Sequence, residues 1–337
     1  MRLIRGLFKI IKGIILFVLA CFAIICIWHN AMSIYEDKQM MRPGDKIEVY
    51  ENKYIHAVKM GSGDYTVVFL PGMGTASPYY DYYNLANKVA ENNQVIIIEP
   101  YGYGFSDDIS EKRSLKNYEY ELSEVLKYYN VSNNIIILNH SYSGLSSLDY
   151  ANKHSEVKGI VCLDCTTAYQ IEAHVKDGKL EEGEPKTSKW YSALSILGIS
   201  RFGYTFFMDD VLNELLEDVP VEYHDNYKYF LYTKTLNETI INEMNDISQN
   251  EFDLLYHKYN DELHVTTILS DKTIESMKIN KNEGYFYKDW EEMHGLLISN
   301  PDIQKIYVLE GNHYIHHGHV DEISTKIEEM INDIKKP

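Results

Sequence analysis

The sequence predicts an α/β protein with a mostly parallel sheet flanked by helices. Three observations carry this. Short continuous apolar runs such as Thr66–Leu70 and residues 135–138 have strand length and no polar alternation, which suits strands buried on both faces. Helical patterns come between them, so strand and helix alternate along most of the chain. In the third, residues 135–138 run directly into Asn139-His140-Ser141-Tyr142-Ser143-Gly144, and a helix-compatible segment, residues 145–154, follows. That is the layout of a nucleophile elbow, a sharp strand-to-helix turn that lifts a serine hydroxyl above the sheet. The turn leaves little room, so small residues are needed two before and two after the serine. Asn139 and Ser143 stand there, with Gly144 next, which makes the match a relaxed one.

At 337 residues, with 24% charged and 45% hydrophobic residues, the chain has ordinary globular composition and enough length to bury a sizeable core. Residues 13–35 are uncharged and residues 13–28 almost purely apolar, close to the ~20 residues that span a bilayer. No convincing small-x-small cleavage site follows, so the segment reads as a signal anchor, with a cleaved signal peptide as the alternative. Arg2, Arg5, Lys9 and Lys12 precede the span, which places the following chain outside the cytoplasm. Net charge is −18, and beyond residue 35 the chain holds 28 basic against 50 acidic residues. Such a surface repels nucleic acid, so no nucleic-acid partner is expected. Cys162 and Cys165 read as small buried hydrophobes, and the four cysteines imply no disulfide framework.

In chain order, residues 36–45 form a polar connector ending in Arg42-Pro43-Gly44. Residues 46–50 and 54–60 form a hairpin, then strand 66–70, a helix within 82–91, and strand 95–99. A helix over 115–129 leads to strand 135–138, the serine turn and strand 159–164. The rhythm breaks between 166 and 261, an aromatic-rich region with helical stretches at 209–217, 223–235 and 238–259. It resumes with strand 265–269, a helix within 285–297, strand 305–309 and an amphipathic helix over 320–334. Domain boundaries follow: an anchor over 1–35, a linker over 36–45, a core from 46–165 and 262–337, and a helical insertion over 166–261.

Three further motifs bear on chemistry. Phe69-Leu70-Pro71-Gly72-Met73-Gly74 ends a strand in glycines that let backbone approach a ligand closely. Glu99-Pro100-Tyr101-Gly102-Tyr103-Gly104-Phe105-Ser106-Asp107 invites a dinucleotide reading, but Asp107 stands where the third glycine belongs and would repel a pyrophosphate. Tyr307-Val308-Leu309-Glu310-Gly311-Asn312-His313 places a histidine after the last strand. His316, His317 and His319 follow, but no cysteine or acid nearby completes a metal-ligand spacing, so no metal is expected. No cofactor is expected either.

The order of these elements and motifs resembles the α/β-hydrolase fold family over roughly residues 45–335, with the insertion where that family carries a helical cap. The resemblance implies Ser141 as nucleophile and His313 as its general base. It also implies backbone amides of Met73 and Tyr142 as the oxyanion hole, and an acid at the end of a late strand. Asp271, after the strand ending at Ser270, is the favoured acid; Asp164, ending the preceding strand, is the alternative. The order Ser141, Asp271, His313 then follows that of the fold. The expected activity is hydrolysis of a small-molecule or lipid acyl ester by a membrane-anchored enzyme. A peptidase or acyltransferase, a non-catalytic binding protein in which Asn139 tilts Ser141 away, and a membrane assembly partner are the alternatives. Oligomeric state is not legible.

Overall fold

The computed structural model describes residues 2–176, 178–180, 186–283 and 285–336. Its centre is an eight-stranded sheet of order β1-β2-β4-β3-β5-β6-β7-β8. The strands are β1 (Asp45–Tyr50), β2 (Lys53–Gly61), β3 (Thr66–Leu70), β4 (Gln94–Glu99), β5 (Ile135–His140), β6 (Val157–Leu163), β7 (His264–Ser270) and β8 (Gln304–Leu309). β2 runs antiparallel to both β1 and β4, and every other pairing is parallel.

The apolar runs are continuous because both faces are covered. Val68, Ile96, Ile137 and Ile160 point into one apolar cluster, and Val67, Val95, Ile136 and Val161 into the other. The first face packs under α3 (Leu115–Tyr128) and α4 (Ser143–Lys153) through Leu122, Val125 and Leu148. The second packs under α2 (Tyr83–Val89) and α11 (Val320–Ile334). Ile323, Ile327, Met330 and Ile331 lie at i, i+4, i+7 and i+8 along α11, the spacing of one buried helical stripe. In the register, Leu70 lies beside Asn139 and His140 beside Leu163, so the parallel strands end together and their loops gather along one edge.

Between β6 and β7 come a short hairpin (Val175–Lys176 with Lys179–Leu180), a short helix (Ser192–Ile196), and α5 (Ile199–Phe206), α6 (Asp209–Leu216), α7 (His224–Lys234) and α8 (Glu238–Leu254). α9 (Asp271–Asn282) and α10 (Trp290–Leu297) precede β8. α5 and α9 were not foreseen. α5 spans eight residues, and α9 carries only Ile274 and Met277 to its buried side. At the N-terminus α1 covers Arg2–Gln39, and its 18-residue window of mean hydropathy 3.0 is long and apolar enough to cross a membrane. The connector expected over 36–45 is therefore helical through Gln39. Cys162 and Cys165 are buried as expected, and they are joined as a disulfide, a link that was not expected.

The Gly-x-Gly loop after β4 is a structural element held by a buried ion pair. Glu99 accepts hydrogen bonds from Ser77 Oγ (2.6 Å), the Tyr79 amide (3.2 Å) and the Phe105 amide (2.7 Å). His56 Nδ1 lies 2.9 Å from Glu99 Oε2 and its Nε2 meets the Pro43 carbonyl, so both ring nitrogens donate and the ring is an imidazolium. Burial opposes both charges. The hydrogen bond and attraction between them prevail, raising His56 above its usual 6.5 and lowering Glu99 below its usual 4.5. The histidine's contribution is complete below 6.5 and lost as pH rises through its raised folded value; the glutamate's is complete above 4.5 and lost as pH falls through its depressed one. The melting-temperature gap between wild type and His56→Gln should therefore be widest between pH 4.5 and 6.5 and narrow on either side.

Candidate active site

Ser141 follows β5 with φ +51°, in the left-handed region that a residue bearing a Cβ adopts only when its surroundings impose it. The surroundings here are specific. The Ser141 amide donates to the Leu163 carbonyl, and the Thr166 amide donates to the Ser141 carbonyl, which ties both sides of the turn to the end of β6. Ser143 Oγ donates toward the carbonyls of Leu70 (3.1 Å) and His140 (2.9 Å), so its hydroxyl ties the elbow to β3. Asn139 is fully buried with its side chain against Cys165, and it does not tilt the serine away.

The serine meets a histidine. His313 Nε2 is 2.9 Å from Ser141 Oγ, and His313 Nδ1 is 2.7 Å from Asp164 Oδ2. A carboxylate only accepts, so Nδ1 carries the proton and Nε2 is left as the base facing the hydroxyl. Asp164 has no exposed side-chain surface. Its Oδ2 also accepts from Thr273 Oγ1 (2.5 Å), and its Oδ1 from Trp290 Nε1 (2.9 Å) and the Ser270 amide (3.3 Å). Donors from α9 and α10 thus surround the carboxylate and fix its direction.

Asp271 is elsewhere. It is the first residue of α9, and its Oδ1 accepts from the Gly311 amide at 2.9 Å, bracing the loop that carries His313 without touching the ring. The expectation that Asp271 orients the histidine is corrected in favour of Asp164. Both are acids at the ends of neighbouring strands, and only the long-range donors Thr273 and Trp290 tell them apart.

The amides of Met73 and Tyr142 donate to no other group among the described residues. Met73 follows Gly72, where a Cβ would stand 2.6 Å from His140 Nδ1 and 3.1 Å from Ser141 Cβ; only glycine lets this loop lie against the elbow. The next amide, of Gly74, donates to Tyr103 Oη at 3.1 Å, and the Tyr103 hydroxyl donates to Glu243 on α8. Tyr142 caps α4, where free amides and the helix dipole favour negative charge. Its hydroxyl accepts from Asn250 Nδ2 on α8 at 2.7 Å. One helix of the insertion therefore braces both loops beside the serine. A mostly apolar cavity is lined by Leu70, Pro71, Tyr103, Tyr118, Leu122 and Tyr142, with Glu121 and Glu243 also on its wall; Ser141 and His313 do not line it.

The histidines after His313 acquire the acid that the local sequence lacks. Asp81, from the short helix Pro78–Asp81, lies 3.0 Å from His316 Nε2 and 3.1 Å from His317 Nε2, and donor atoms of the three lie within 4.8 Å of one another. Both carboxylate oxygens are thus engaged by N–H groups. Burial works against the Asp81 charge, yet the two histidines hold its carboxyl well below the usual range. Burial lowers His316, while at His317 the attraction of Asp81 outweighs burial and raises it. The arrangement is that of a hydrogen-bonded staple between this loop and the Pro78–Asp81 helix. His319 stands outside it, against the His317 carbonyl. His140, immediately before the serine, places its Nε2 at 2.9 Å from the His313 carbonyl, and burial keeps its ring neutral.

No protein-family model matches the chain. It is 25% identical over 177 residues to the uncharacterized protein YbdG of Bacillus subtilis, covering 52% of this chain and 53% of that one. It is 31% identical over 121 residues to the cis-3-alkyl-4-alkyloxetan-2-one decarboxylase of Shewanella oneidensis, covering 35% of this chain and 37% of that one. The chain spans about half the length of the first and about a third of the second. Among solved structures it is similar to a bromoperoxidase of Bacillus anthracis, with a TM-score of 0.59 at 15% identity over 86% of this chain and 99% of that one.

The geometry predicts which acid matters. Asp164→Asn should slow acylation of Ser141 by an activated ester about 10⁴-fold, by removing the partner that fixes the histidine tautomer. Asp271→Asn should leave the rate near wild type. Stopped-flow acylation of both purified variants checks the pair.

Proposed function

We propose, from the premise that the chain has the α/β-hydrolase fold, that it is a serine hydrolase acting on an acyl ester. The observation that carries the reading is His313 standing between Ser141 at 2.9 Å and Asp164 at 2.7 Å. In this account Ser141 Oγ attacks the acyl carbonyl as its proton passes to His313 Nε2. The imidazolium that forms is stabilised by Asp164, and the tetrahedral oxygen is bound by the Met73 and Tyr142 amides. Collapse expels the alcohol, which takes the proton from His313, and leaves Ser141 acylated. Water, deprotonated by the same histidine, then releases the acid and restores the serine. Each oxyanion donor contributes ~3–4 kcal/mol to such a step.

An ester is the preferred substrate class. The decarboxylase relative is named for an oxetan-2-one, a cyclic ester, which is in keeping with that choice. The aspartate used as nucleophile by other branches of the fold is replaced here by Ser141.

The second part of the proposal is a membrane anchor with the catalytic domain outside the cytoplasm, from the basic residues that precede the apolar stretch. The far half of α1 supports an anchor over a cleaved leader. Arg201 on α5, 3% exposed, is paired with Glu36 of α1 by contacts of 2.7 and 2.5 Å. Removal of that half would strip the guanidinium of Glu36, Ser33 and His29 together.

Detergent-solubilised full-length protein should hydrolyse p-nitrophenyl acyl esters with saturation and a pre-steady-state burst of one p-nitrophenol per active site. Ser141→Ala should lower kcat by about 10⁴–10⁶-fold. A folded wild type with no burst and no turnover across a series of chain lengths would sink the ester reading.

A further inference from the structure

α1 is about 57 Å long at ~1.5 Å per residue, nearly twice the ~30 Å hydrocarbon core of a bilayer. Its exposed apolar side chains run from Leu7 to Ile27, which is 70% exposed, with Ile34 and Tyr35 exposed beyond them. The last turns of the helix are taken up by the insertion between β6 and β7. His29, Ser33 and Glu36 lie at i, i+4 and i+7, one face of the helix, and all three meet the buried Arg201 guanidinium. Asn30 Nδ2 donates to the Ile196 carbonyl. At Gly198, φ +77°, an added Cβ would stand 2.3 Å from His29 Cβ, so the chain at this point lies directly on the helix. The Trp28 and Phe206 ring centroids are 6.2 Å apart.

These contacts set the height of the insertion against the membrane. Residues 196–207 are locked beside residues 28–36, just where the apolar stretch of α1 ends. At that level the insertion exposes large apolar side chains: Ile196 (65%), Phe206 (59%) and Phe207 (74%), with Met208 and Val211 next in the chain. A cluster of this kind, joined to the exposed apolar helix α1 through Trp28 and Phe206 and rich in aromatics, has the composition of a membrane-interface belt. Asp209 and Asp210 at its border are exposed and acidic, which disfavours anionic headgroups and leaves apolar insertion as the attraction.

We infer that this face of the insertion sits in the bilayer interface alongside α1, so that the helices over the active site are themselves membrane-docked. The occupant is the bilayer that α1 spans, and the inference rests on the reading of α1 as a span, in either orientation. The link to the site is direct: Glu214 at the end of α6 accepts from Asn312 Nδ2 at 2.9 Å, one residue before His313. An acyl substrate dissolved in the membrane would thus meet the catalytic loop without crossing bulk water.

The test uses the full chain with Cys21→Ala and Cys26→Ala, reconstituted in zwitterionic phosphatidylcholine vesicles. An environment-sensitive fluorophore is attached at one of three exposed sites, Leu19→Cys, Phe207→Cys or Lys127→Cys, and lipids carry a quencher either near the headgroup or deep in the acyl chain. The expected result is that headgroup-level quencher extinguishes the Phe207 label, deep quencher extinguishes the Leu19 label, and neither touches the Lys127 label. Quenching at Leu19 with Phe207 behaving like Lys127 would overturn the docking while leaving the anchor intact. Disulfide cross-linking of Phe207→Cys between copies, without lipid quenching, would overturn it in favour of a second copy on this face. Absence of quenching at Leu19 would remove the anchor and the docking together.

Discussion

Everything at the site depends on one backbone constraint, the left-handed conformation of Ser141 at φ +51°. A serine held there costs of order 1–3 kcal/mol and persists only because its surroundings over-determine it. The end of β6 does most of this, holding the amide on one side of the turn and the carbonyl on the other. Gly72 lets the preceding loop close against the elbow, and Ser143 bonds the elbow back to β3. Since β3, β5 and β6 are neighbours in parallel register, the strain is carried by the sheet itself. The same register brings Asp164, which follows β6 with φ +44°, to the level at which it meets a histidine arriving after β8.

The sheet was legible in the sequence because its central strands are buried on both faces, and a run such as residues 135–138 can be little else. Ser141 and His313 were legible because each stands where a strand pattern stops. The acid was not. Asp164 and Asp271 follow consecutive parallel strands, and local sequence ranks neither. The decision is made by Thr273 and Trp290, whose donors lie 109 and 126 residues from Asp164. The Asp81 staple was hidden for the same reason, since His316 finds its acid 235 residues away. Residues 36–39 read as connector because they are polar. In the structure α1 continues through them, and Glu36 there pairs with the buried Arg201, 165 residues away.

The insertion between β6 and β7 connects two tasks that the sequence presents as separate. Through α8 it steadies the elbow and the loop opposite, by way of Asn250 on Tyr142 and Glu243 on Tyr103. Through α5 and α7 it grips the far end of α1, with Arg201 also lying over the Tyr232 ring at 4.4 Å. An apolar helix that would otherwise be a tether thereby becomes part of the folded unit, and the loops around Ser141 are held at a defined distance from it.

The central claim is that Ser141 is an activated nucleophile, and labelling of the full-length protein with a fluorophosphonate, followed by mass spectrometry of its peptides, tests it most directly. The account predicts a single adduct on Ser141 that is lost in His313→Asn while the circular dichroism spectrum is retained. A folded protein that takes up no label, or takes it up equally without His313, would contradict it.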